Sequence, residues 1–121
     1  MENSLTKSLI KKLSEKTAKG EISWKTTADE DGFFAHLSNY SLSISEDTSV
    51  DSDSDSLITI HILKIYNQDG EIIEEINAGD IAEFFGNYYE AKIVLQNIFR
   101  EARRIAKGSY KAIEDILKSL D

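Results

Sequence analysis

The sequence predicts an α+β domain: an N-terminal helix, a five-stranded antiparallel meander, and two to three C-terminal helices packed on one face of the sheet. Three observations carry this expectation. Apolar residues recur at helical spacing at both ends of the chain and alternate at strand spacing between them. The strand-like runs follow one another with turn residues short enough for each to pair antiparallel with the one before. With 121 residues and 40% apolar content, the chain suffices for one core, and residues 1–121 are read as a single domain.

Leu5, Leu9, Ile10 and Leu13 share one side of a helix over 4–19, with Lys7, Lys11 and Glu15 on the other, and Gly20 supplies a left-handed stop. The period then changes from 3.6 to 2. Ile22 and Trp24 belong to a strand near 21–27; Phe33, Ala35 and Leu37 to one near 32–38; Tyr40, Leu42 and Ile44 to one near 40–46. Asp31-Gly32 and Ser38-Asn39 provide the turns between them. A β-rich run at 57–66 turns through Asn67-Gln68-Asp69-Gly70 into a strand at 71–76, where Ile72 and Ile76 are expected on one face with Glu74. Asp80 and Glu83 have capping-box spacing and predict a short helix near 80–85. Asn87 and Glu90 predict the start of a long helix near 88–107, and Gly108-Ser109 precedes a last helix at 110–120 striped by Ile113, Ile116, Leu117 and Leu120. Trp24, Phe33, Phe34, Phe84, Phe85 and Phe99 supply core volume, with Phe34 the doubtful member because it lies opposite Phe33 on an alternating strand.

Charge is unevenly distributed along this frame. Residues 26–98 hold fifteen Asp or Glu against Lys64 and Lys92, a net of about −13, whereas residues 1–25 carry +3 and residues 99–121 carry +2. The start of the chain shows no charged-then-apolar leader, and the apolar runs are a few residues long, so a membrane partner is not expected and a cytoplasmic location is. Zero cysteines exclude disulfides, thiolate zinc sites and cysteine nucleophiles. No GxSxG, phosphate-binding loop or GxGxxG occurs; no catalytic residue, metal ligand or cofactor is predicted, and the chain is not expected to be an enzyme.

Asp51-Ser52-Asp53-Ser54-Asp55 invites comparison with a calcium loop, because alternating carboxylates open an EF-hand. Ser56 stands where the sharp turn requires Gly, and Ile62 where the bidentate Glu belongs. Residues 46–56 are read instead as a solvated, mobile acidic connection whose Glu46, Asp47, Asp51, Asp53 and Asp55 are candidate electrostatic contacts. His36 and His61 occur on strands outside any ligand spacing, and both are read as ordinary strand positions.

In the long helix, Ala91, Leu95, Ile98, Phe99, Ala102, Ile105 and Ala106 gather on one side. Tyr89, Ile93, Arg100, Arg103, Arg104 and Lys107 gather on the other and form a candidate partner-binding face, since Tyr and Arg are favoured at binding hot spots. The competing reading is a solvated row that complements the helix dipole. Direct nucleic-acid binding is not expected, because the net charge of −8 would repel a polyanion.

Several segments carry a resemblance: Lys16-Thr17-Ala18-Lys19-Gly20-Glu21-Ile22-Ser23-Trp24, Phe34-Ala35-His36-Leu37, Tyr40-Ser41-Leu42-Ser43-Ile44, Asp69-Gly70-Glu71-Ile72-Ile73, and Ala102-Arg103-Arg104-Ile105-Ala106-Lys107-Gly108 with Ala112-Ile113-Glu114-Asp115-Ile116-Leu117 after it. Through them the chain resembles a loosely defined group of small bacterial proteins without an assigned activity. The resemblance implies a shared helix–sheet–helix scaffold and transfers no functional residue.

The functional expectation is a small acidic protein-binding regulator, inhibitor or immunity-type protein. It would dock to another protein, a basic one in the electrostatic case, through its acidic middle or through the outer helix face. The alternative is a structural or assembly subunit, in which Tyr89, Ile93 and Phe34 are buried against a second copy in a homodimer.

Overall fold

Gly20 ends the first helix as its position predicts. It adopts φ of 73°, where an L side chain is strained, and its N–H bonds back to the Thr17 carbonyl at 3.0 Å. The computed structural model describes residues 2–28 and 31–121, the side chains of residues 2–4 excepted. The helix, α1, spans Glu2–Ala18 and buries Ile10, Leu13 and Thr17.

Five strands follow in meander order: β1 (Lys25–Thr26), β2 (Gly32–Leu37), β3 (Tyr40–Val50), β4 (Leu57–Tyr66) and β5 (Ile72–Ile76). Each is antiparallel to its sequence neighbour and hydrogen-bonded beside it. After β5 come a single helical turn, α2 (Ala78–Ile81), a 3₁₀ turn (Ala82–Phe84), the long helix α3 (Tyr88–Ala106) and α4 (Ser109–Leu120). The fold is α+β, an antiparallel sheet between an N-terminal helix and C-terminal helices, with α3 laid across one side of the sheet and α4 touching α3. α3 crosses β1 to β4, and α1 packs beside α3.

The core lies between these layers. Phe33 pairs across the sheet with Ile44, and Ile44 with Leu63, which in turn pairs with Ile76; all four are buried. Leu95, Ile98, Phe99 and Ala102 of α3 meet this row, the rings of Phe33 and Phe99 lying 5.4 Å apart. Large side chains of this kind contribute roughly 1.5–3 kcal/mol each on full burial. Phe34 falls on the opposite, helix-free face, half-buried and edge-on to His36 at 5.3 Å.

Four expectations change in detail. The first strand shrinks to Lys25–Thr26, because the Trp24 N–H turns back to the Ile22 carbonyl at 3.0 Å, and both side chains are buried from a coil. The third strand continues past 46 to Val50, so the connection expected at 46–56 begins with four more residues of strand and ends in a hydrogen-bonded turn. Ile72 does not share the face of Ile76. The β4–β5 register shifts between Ile65 and Tyr66, Tyr66 opposing Ile72 while Ile65 opposes Glu74; the extra residue leaves Ile72 50% exposed and Ile76 4%. The capping box sits three residues earlier than expected: Asn77 Oδ1 accepts from the Asp80 N–H at 3.1 Å, and Asp80 Oδ2 accepts from the Asn77 N–H at 2.9 Å. Asn87 caps α3 as predicted, accepting from the Glu90 N–H at 2.8 Å.

Candidate functional site

The register of the sheet creates its most distinctive surface. β2 pairs with β3 no further than Gly32 with Ser45, and β4 reaches β5 only from Leu63 onward. Between those limits β3 and β4 continue together, Glu46 opposite His61 through Val50 opposite Leu57. Five residues of each strand therefore form a two-stranded ribbon about 15 Å long beyond the five-stranded sheet. Thr48 opposite Thr59 and Val50 opposite Leu57 are the β-branched and aliphatic pairs that favour such a ladder.

A tight turn closes the ribbon. The Asp51 N–H bonds to the Ser56 carbonyl at 2.8 Å, and the Asp55 N–H to the Asp51 carbonyl at 2.8 Å. Asp51 organises the tip: its Oδ1 accepts from the Asp53 N–H at 3.2 Å and its Oδ2 from the Ser54 hydroxyl at 2.9 Å. These bonds favour the carboxylate, the Asp53 N–H first and the Ser54 hydroxyl second, and hold the Asp51 pKa below its ordinary value. Among the described residues, no group of three or more His, Cys, Asp or Glu is arranged to hold a metal ion.

The ribbon is charged throughout with one sign. From Glu46 to Ile62 the chain carries Glu46, Asp47, Asp51, Asp53 and Asp55 and no Lys or Arg. Among the described residues, Lys and Arg form three ion pairs, Lys16–Glu21, Arg104–Glu101 and Lys111–Asp115, so no cation engages Asp47, Asp51, Asp53 or Asp55.

His61 does not offset this charge. Its Nε2 lies 3.1 Å from Glu46 Oε2, but its ring is buried against Phe99 with centroids 4.9 Å apart. Burial disfavours the imidazolium more than the Glu46 hydrogen bond and charge favour it, and Lys92 adds to the depression; the His61 pKa falls below its usual 6.5. With its pKa lowered, His61 is neutral at pH 7, and its Nε2 shares a hydrogen bond with the Glu46 carboxyl group. The contact is a neutral hydrogen bond at the base of the ribbon rather than an ion pair.

On its helix side the ribbon forms a cleft of about 250 Å³ with α2 and the start of α3. Ile58, Ile60 and Leu95 line it with aliphatic surface; His61, Tyr88 and Lys92 supply its polar groups. His36, the other histidine, lies on the far face of the sheet with Nδ1 2.7 Å from the Ser41 hydroxyl, so the fold keeps the two histidines apart.

The predicted face of α3 is divided. Tyr89 is 67% exposed, and Arg100, Arg103 and Lys107 are exposed, while Ile93 is half-buried. Arg104 bonds Glu101 at 3.2 Å, one turn away, and the Tyr110 hydroxyl donates to the second oxygen of Glu101 at 2.8 Å. Glu101 is thereby shared between a residue of α3 and one of α4. Of the predicted acidic residues, the fold gathers all five onto the ribbon and its tip.

The sequence reading missed Tyr88, Lys92 and the His61–Glu46 contact. A signal for the contact was present in the six-residue spacer between Val50 and Leu57, which sets Glu46 opposite His61 once both flanks are read as strand. Comparison with family models, curated proteins and solved structures gives no match. Among the described residues, no helix is long and apolar enough to cross a membrane.

Proposed function

We propose that the protein binds another protein through the β3–β4 ribbon and acts as a small regulator, inhibitor or immunity-type protein. One observation carries the reading: the ribbon extends from the sheet with five carboxylates, no Lys or Arg between Glu46 and Ile62, and a neutral histidine at its base. Uncompensated charge on a protruding element raises the encounter rate with a surface of opposite sign and penalises partners of the same sign. The partner is therefore a protein with a basic groove or patch. The cleft beside the ribbon, floored by Ile58, Ile60 and Leu95, receives one apolar or aromatic side chain of that partner and supplies the desolvated contact that long-range charge alone does not.

The test is affinity capture from the cell of origin with wild-type protein and an Asp51→Asn, Asp53→Asn, Asp55→Asn variant, at low and moderate salt. A basic protein retained by the wild type, released by moderate salt and lost by the neutralised variant supports the reading. A captured partner whose retention ignores both salt and the three substitutions overturns it.

A further inference from the structure

The two edges of the ribbon differ. On β3, the Glu46 N–H points away from β4 and bonds the Asp31 carbonyl at 2.8 Å, whereas at the turn the Asp51 N–H points across the ribbon and bonds the Ser56 carbonyl. Backbone groups along an antiparallel strand alternate between its two neighbours, so Glu46, Thr48 and Val50 present theirs to the outer edge while Asp47 and Ser49 bond β4. The same alternation turns the N–H and C=O groups of Ile58, Ile60 and Ile62 toward β3 and those of Leu57, Thr59 and His61 away from it. The β3 edge is closed, because Asp31 takes the Glu46 N–H and Asp47 Oδ1 accepts the Thr48 N–H at 2.8 Å. The β4 edge is open. β5 pairs with β4 from Leu63 onward and the chain then turns into α2, so among the described residues no strand lies beside residues 57–61. Leu57-Ile58-Thr59-Ile60-His61 also lacks the Lys, Pro or bulge with which sheets ordinarily guard an edge.

The cleft of about 250 Å³ follows this open edge. Ile58 and Ile60 alternate with His61 along β4, yet all three line the cleft, which places it along the edge of the strand. Asn77, Ala78 and Gly79, where the chain leaves the line of β5, line it as well, and Leu95 adds a further aliphatic wall. Lys92 shares the lining and belongs to none of the ion pairs of the described residues.

We infer that the partner adds a strand to this edge: an extended segment of about five residues pairs with the outward backbone groups of Leu57, Thr59 and His61 and continues the sheet along the line that β5 leaves. The inference rests on the ribbon being the partner-binding element and states how the partner is held there. Backbone pairing supplies the register, and the side chains select the sequence. The residue set against Ile58, Ile60 and Leu95 is apolar, since Lys92 beside them disfavours a second cation. Lys or Arg follows at the end of the segment that runs past Leu57, where Asp51, Asp53 and Asp55 stand without a basic neighbour. A second copy is the poorer occupant. It would offer the same open edge, but with it the same five ribbon carboxylates and a net charge of −8.

The experiment is amide NMR with hydrogen exchange on the full chain, titrated with a short capped peptide that has Leu at its centre, Val and Thr beside it and Lys at both ends. The same peptide with its central amides N-methylated is the control. In the protein alone, the amides of Ile58, Ile60 and Ile62 are expected to be protected and those of Leu57 and Thr59 to exchange fast. With the peptide, the Leu57, Thr59 and His61 amides shift and slow, and the N-methylated control leaves them unchanged. Thr59→Pro removes one outward N–H without breaking the β3–β4 ladder and raises the dissociation constant about 10-fold. Should the proline disturb the ribbon, the wild-type exchange pattern decides by itself. No binding of the unmodified peptide at ~1 mM overturns the inference. So do equal effects of the two peptides, or shifts that follow protein concentration with no peptide present, the signature of a second copy on the edge. Shifts confined to residues 51–55 and abolished by salt overturn strand addition and leave the electrostatic reading of the ribbon standing. Protection of Leu57 and Thr59 that survives both salt and the Asp51→Asn, Asp53→Asn, Asp55→Asn variant supports strand addition and removes that reading.

Discussion

His61 and Glu46 face each other across β3 and β4 with Nε2 and Oε2 3.1 Å apart, the His61 side chain 8% exposed and that of Glu46 47%. Their asymmetry of burial decides the chemistry. Glu46 reaches solvent, and the ring beneath it is held toward its neutral form because burial against Phe99 disfavours an imidazolium more than the Glu46 contact favours it.

A pH dependence follows. The folded His61 pKa is depressed, so the unfolded chain binds the proton more readily. The stabilising effect is complete above the unfolded value of 6.5 and is lost as pH falls from there through the folded value. The melting temperature should decline between pH 7 and pH 5, and His61→Gln should flatten that decline. A wild-type curve that is level or rises on acidification over this range would count against the neutral ring.

The sole tryptophan reports on the junction between α1 and the sheet. Trp24 Nε1 donates to Thr17 Oγ1 at 3.2 Å, and both residues are buried. Thr17→Val keeps the shape and strands the indole N–H, at a cost of about 1–3 kcal/mol. Urea unfolding followed by tryptophan fluorescence measures it, and an unchanged midpoint would show that water reaches the indole.

The ribbon tip contains Asp55 at φ of 56°, a left-handed conformation for a residue with a side chain. Asp55→Gly should leave stability unchanged or raise it slightly, while Asp55→Val should lower it by about 1–2 kcal/mol through the clash of its branched Cβ. Equal midpoints for the two variants in chemical denaturation would mean that the turn rearranges freely.

Asn87 caps α3 with one side-chain bond to the Glu90 N–H. Asn87→Ala should cost about 1 kcal/mol, and Asn87→Ser should recover most of it because the serine oxygen accepts the same bond. Thermal unfolding of the pair separates loss of the cap from a general loss of side-chain contacts.

Along α3, Arg100 and Arg103 are exposed and outside the ion pairs of the described residues, unlike Arg104, which holds Glu101. Arg100→Ser and Arg103→Ser together should leave the melting temperature nearly unchanged. Arg104→Ser should produce the larger shift of the two variants, since Glu101 also anchors Tyr110. The opposite order in differential scanning calorimetry would mean that the exposed row is structural.

What the sequence determined by itself is local. Gly20 marks the end of α1, Asn67–Gly70 marks the β4–β5 hairpin, and Asn87 with Glu90 marks the start of α3, because spacing and caps act within a few residues of chain. Alternation also separated Phe33, buried in the core, from Phe34 on the open face. The tertiary structure decided what each amphipathic face meets. Ile72 and Ile76 are read alike until one extra residue in β5 turns Ile72 outward. Residues 47–49 are polar or charged, a composition read as the connection after the third strand, and they become strand because β4 presents a complementary edge. The stripe of α4 is the sharper of the two in sequence, yet Ile10 and Leu13 of α1 meet the core while Ile116 and Leu120 meet solvent. Periodicity records that a helix has an apolar side; the surface that covers it is a long-range contact, set by where Gly108 sends the chain after α3 ends.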